Sequence, residues 1–102
     1  MYQAPFSETA AGTTDGATAT KAARDGHYHV VTSISGHVDE DSLITILDGS
    51  SVVWESKIDI SLEGFSFNFP GLNVVCSLSA TAAGELAGSL ADCQVNISGY
   101  TL

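Results

Sequence analysis

The chain has 102 residues, enough for one domain with a modest core. Its net charge of −9, with only Lys21, Arg24 and Lys57 positive, argues against binding nucleic acid through phosphates or docking on an anionic membrane surface. Only 15% of residues are charged, below the ~25% of ordinary soluble domains, and Ser, Thr, Gly and Ala fill the difference.

Residues 1–16 predict an extended N-terminal arm. "SETAAGTTDG" is small, polar and without hydrophobic periodicity. Tyr2 and Phe6 flank Pro5, and spaced apolar groups on an arm can plug into pockets of another subunit. A plain tail is the other reading. The segment has neither a charged start nor a long apolar run, so no secretory signal is expected. No stretch of the chain approaches the ~20 apolar residues that span a bilayer.

Residues 17–102 predict a β-sandwich domain. "ATATKAA" reads as an edge-like strand, and Arg24 to Gly26 as a turn. "HYHVVTSISG" is rich in β-branched residues, with Tyr28, Val30, Thr32 and Ile34 on one phase. After the polar "GHVDEDS", "LITIL" and "SVVWESKIDI" flank an Asp-Gly turn, a hairpin signal. In "GFSFNFPGL", Phe65, Phe67 and Phe69 share one face, and Pro70-Gly71 is expected to end the strand. These rings are read as a core wall, because a stacking platform would need basic neighbours to hold its ligand. "LNVVCSLSA" reads as the next strand, with Leu72, Val74, Cys76 and Leu78 on one face. "TAAGELAGSLAD" is a loop or short helical turn, and "CQVNISGYTL" a closing strand. About seven or eight short strands between turn signals, with almost no helix, predict an all-β, single small β-sandwich of jelly-roll-like form.

No catalytic signature stands out. His27 and His29 project from one face of a strand and could share a metal with His37 or Asp39. A solvated strand face is the simpler explanation. Asp39, Glu40 and Asp41 with Ser42 offer oxygen ligands but lack the alternation and glycine of an EF-hand loop. Glu55, Lys57 and Asp59 form an exposed stripe more simply than a glycosidase pair with Glu63 or Glu85. No serine sits in a nucleophile elbow, so no enzyme, cofactor or metal is expected. Asn96-Ile97-Ser98 matches the glycosylation sequon and is read as chance. Cys76 and Cys93 read as buried small hydrophobes, a disulfide being the alternative. Trp54 reads as a core or subunit contact.

"DGHYHVVTSISG", "LITILDGSSVVWE", "IDISLEGFSFNFPGLNVVCSLSA" and "CQVNISGYTL" together resemble the small β-sandwich virion proteins of tailed phages, the capsid decoration or cement proteins and related head-fibre modules. The likeness spans roughly Ala17 to Tyr100 and is one of turns and apolar phases. It implies a non-enzymatic protein on the capsid exterior, made in the host bacterial cytoplasm. It implies a homotrimer whose partners are its own copies and the major capsid protein, with no nucleic acid or membrane. Tyr2, Pro5, Phe6 and Trp54 are the candidate contact residues. A carbohydrate- or receptor-binding module of a tail or head fibre is the alternative, and a small hydrolase a more distant one.

Overall fold

The computed structural model describes residues 4–12, 16–59, 64–84 and 92–102. They form eight strands: β1 Ala4–Gly12, β2 Ala17–Lys21, β3 His29–His37, β4 Ser42–Asp48, β5 Ser51–Ile58, β6 Gly64–Val74, β7 Leu78–Gly84 and β8 Cys93–Thr101. There is no helix among the described residues. One four-stranded sheet has the order β1-β8-β3-β6 and the other β2-β7-β4-β5. Every neighbouring pair is antiparallel. The chain changes sheet at every link except β4–β5, which gives the eight-stranded, doubly Greek-key arrangement of a jelly roll. The one in-sheet hairpin turns at the Asp-Gly pair, where Gly49 has φ 63°, a conformation glycine adopts without steric cost.

Alternation builds the core. Ile44 and Ile46 of β4, Leu78 of β7, Ile34 of β3, and Val95 and Ile97 of β8 are fully buried between the sheets. Each such side chain contributes roughly 1.5–3 kcal/mol of burial. Ala17, Ala19, Ala80 and Ala82 are buried on the facing side of β2 and β7, and their small size lets the sheets approach there. The two open sides are closed by aromatic rings. Phe6 of β1 closes one, 9% exposed, with its ring edge-on to the His29 imidazole at 5.6 Å. On the other, Trp54 of β5 meets Phe67 and Phe69 of β6 at 5.0 and 5.2 Å.

Several strand boundaries differ from those read in the sequence. Ala4–Gly12, expected within an arm, is an edge strand paired with β8 along its whole length, from Ala4 opposite Thr101 to Gly12 opposite Cys93. β6 does not end at Pro70-Gly71 but runs on to Val74. Proline is tolerated because β6 is an edge strand, and the register shifts around it, Phe69, Pro70 and Gly71 falling opposite the single residue Thr32, which against β8 is itself a bulge between the Val31–Gly99 and Ser33–Ser98 pairs. That bulge also changes the phase of β3. His29 and Val31, not Val30, share the inner face with Ile34. Leu72 to Leu78 is not one strand: Val75–Ser77 is a loop, and Cys76 is exposed in it. Thr81–Gly84, expected in a loop or helical turn, completes β7.

Candidate docking surface

The register of the first sheet assembles a surface that no single strand shows. On its outer face Ser7 of β1 lies beside Ser98 of β8, which lies beside Ser33 of β3 and then Asn68 of β6. The next row is Thr9, Asn96, Ser35 and Ser66. The Ser33 and Ser98 hydroxyls hydrogen-bond across the centre, and Thr32 donates to the Ser98 carbonyl at 3.3 Å. The flanking rows hold Pro5, Tyr100, Val30 and Asn73 at one end, and Ala11, Gln94, His37 and Gly64 at the other. No Asp, Glu, Lys or Arg falls in these four rows. The outer face of the second sheet differs, since Glu55 and Lys57 stand opposite Thr45 and Leu43.

Carboxylates gather instead at one end of the sandwich. β3 leads there into Asp39, Glu40 and Asp41, Asp59 follows the end of β5 there, and Asp92 precedes β8. His37 lies 3.6 Å from Asp92 at this end. Asp39 and Asp92 also act on Cys93. Burial pushes its thiol above the usual range, the Gly12 hydrogen bond partly opposes this, and these two charges add smaller increases. The thiol lies 3.8 Å from the Gly12 carbonyl, to which it donates. The opposite end carries Lys21 and Arg24 beside a cleft, and Asp48, whose carboxylate accepts the Val75 and Cys76 N–H groups at 3.3 and 2.8 Å.

The residues singled out in the sequence do not converge. Tyr2 lies outside the described residues. Pro5 is exposed on the outer face of β1, but Phe6 points into the core, so Phe6 is not a free anchor for another subunit. Trp54 faces inward, half-buried against Phe67 and Phe69. Among the described residues no group of three His, Cys, Asp or Glu side chains is placed to hold a metal. His27 and His29 do not share a ligand position. His27 Nδ1 is 3.0 Å from the Leu102 carbonyl, while His29 is buried and bonded through both ring nitrogens, Nδ1 to Thr101 Oγ1 and Nε2 to the Ala22 carbonyl, each at 2.8 Å.

Of the two cysteines only Cys93 is buried, and both are free. A thiol reagent is therefore expected to modify Cys76 at once in the native protein and Cys93 only after denaturation. Two rapid equivalents would contradict the placement of Cys93. The raised thiol has a pH consequence. Below the unfolded-chain pKa near ~8.5 it leaves stability unchanged. As pH rises towards the folded value, the unfolded chain loses the proton first, so stability falls.

Compared with known protein families, curated proteins and solved structures, the chain matches none.

Proposed function

We propose that this protein is a non-enzymatic structural subunit that coats the outside of an assembled phage capsid and stabilises it, and that the uncharged face of the first sheet is its docking surface. The single observation that carries this reading is the absence of Asp, Glu, Lys and Arg from the outer face of four adjacent strands in a chain with net charge −9. Protein interfaces are depleted of charge at their centres, and strongly acidic subunits repel one another least where no carboxylate intervenes. Hydroxyl and amide groups both donate and accept, so such a face can be satisfied against another polar protein surface. The virion setting comes from the likeness of the turn and strand pattern to phage decoration proteins.

The mechanism is physical. A subunit that binds the assembled lattice and not its separated components stabilises the lattice by mass action. Several copies linked as a homotrimer would raise avidity without strong single contacts.

The test begins with the copy number of this chain in purified particles, measured by quantitative mass spectrometry against the major capsid protein. A number comparable to the capsid protein's is expected. A handful of copies would move the protein to a tail or fibre, and none would remove the virion reading. The surface is tested separately by Ser66→Glu with Asn68→Glu. Both side chains are exposed on edge strand β6, so the fold should change little, while capsid occupancy should fall at least about tenfold, as expected for unpaired charges buried at an interface. Full occupancy with a folded double variant would assign docking to another surface.

A further inference from the structure

The end of the sandwich away from the acidic loops holds a cleft of about 280 Å³. One wall is Ala4 and Pro5 of β1, and the other is the run from Lys21 to Arg24 that leaves β2. His29 and Thr101 complete its lining. Two of the three Lys and Arg residues in the whole chain thus line one cavity.

We infer that this cleft is a binding site for a small carboxylate whose body is no larger than one sugar ring. The Lys21 ammonium is held by its neighbours, and Arg24 is fixed at its main chain. The Lys21 ammonium sits 5.8 Å over the Phe6 ring and 3.9 Å from Glu8 Oε1. The main chain at Arg24 is fixed by a turn in which His27 N–H donates to the Arg24 carbonyl at 3.0 Å. Glu8 offsets part of the Lys21 charge, and Asp25 is the neighbour of Arg24 in the chain. The cleft therefore suits one negative charge rather than a polyanion.

The His29 ring is committed to structure. A carbonyl can only accept, so Nε2 donates to Ala22, and in the neutral ring Nδ1 accepts from Thr101. This pair of hydrogen bonds ties the β2–β3 link to the last strand and fixes His29 where it lines the cleft. Ala4, Pro5, Ala22 and Ala23 offer methyl and ring surface to an apolar or sugar body. The volume equals roughly nine waters at ~30 Å³ each, near the lower limit of ligand pockets. This inference does not rest on the capsid reading, which is argued from the uncharged rows of the outer sheet face; Pro5 belongs to both surfaces.

A free organic acid and the terminal acidic sugar of a glycan would present the same carboxylate. The test is a titration of the full chain, isotopically labelled, with butyrate, with glucuronate and with neutral glucose, read as backbone amide shifts. Saturable shifts confined to Lys21–Arg24 and the strand end at Thr101 are expected for the acids, with a dissociation constant on the order of 1 mM for ligands this small. Glucose should cause none. Tighter binding of glucuronate would identify the sugar acid as the source, and equal or tighter binding of butyrate the free acid. Lys21→Gln with Arg24→Gln should weaken binding at least about tenfold, and Arg24→Gln alone, at an exposed position, should weaken it severalfold. Lys57→Gln on β5 should change nothing. Absence of saturation by either acid, unchanged binding in the double variant, or an equal loss in Lys57→Gln would overturn the site.

Discussion

Deletion of residues 1–16 is expected to unfold the protein rather than merely detach it from a partner. β1 supplies a nine-residue strand to the first sheet, and its removal exposes the whole outer edge of β8. It also removes Phe6, the ring that closes this side of the core and packs on His29. Loss of a buried phenylalanine alone costs about 3–5 kcal/mol, against a total of roughly 5–15 kcal/mol for a domain of this size. The backbone ladder and the burial of Ala17 and Ala19 behind β1 add to that. Far-UV circular dichroism and thermal melting of the truncated chain provide the check. A folded, cooperative truncation would show that β1 is dispensable. Phe6→Ala provides the milder version, with an expected loss of about 3 kcal/mol in chemical denaturation and β1 still present.

The same strand explains where sequence reasoning reached its limit. β2 and β8 are legible from the alternation of apolar and polar residues, and β4 and β5 from their β-branched and apolar runs on either side of Asp48-Gly49, which marks the hairpin between them. β1 carries Ala4, Phe6, Glu8 and Ala10 on its inner phase. Only one of these is large and apolar, so periodicity gave no strand signal. Its strand character comes from pairing with β8, a long-range property that no local window contains. The boundary errors in β3 and β6 have a related origin. The bulge at Thr32 and the passage through Pro70-Gly71 shift phase, and a pattern with a fixed period of two cannot follow a shift. An unbroken phase puts Cys76 inside, and the Val75–Ser77 loop puts it outside.

The candidate surface was half visible. The outward phases of four strands, Ser7 and Thr9, Ser33 and Ser35, Ser66 and Asn68, Asn96 and Ser98, are all small, polar and uncharged. Each taken singly is an ordinary solvated strand face. Only the sheet order brings them side by side, and only then does the missing charge become a property of a surface. The cleft was less visible still. Lys21 and Arg24 are close in sequence, but Ala4, His29 and Thr101 reach them through the pairing of β1, β8 and β3.

Gly99→Ala is expected to be among the most damaging single changes in the chain, although it adds one methyl group. Gly99 lies on β8 between β1 and β3, opposite Phe6 and Val31. A Cβ built there would fall 1.9 Å from the Val30 carbonyl oxygen and 3.1 Å from Val31 Cα. Both are main-chain atoms of the neighbouring strand, so no side chain can rotate away. The strands must part beside the Thr32 bulge, in the central pair that carries Ile34 and Ile97 in the core. The expected cost is about 3 kcal/mol or more, the upper range for overpacking. Gly26→Ala is the matched control. Gly26 has φ 77°, and an added Cβ there meets nothing within 4 Å, so only the left-handed backbone penalty of about 1–2 kcal/mol applies. Denaturant midpoints of the two variants should therefore separate clearly, with Gly99→Ala the lower. Equal midpoints would mean that β3 and β8 can move apart freely, which the fully buried Ile34 and Ile97 pair between them argues against.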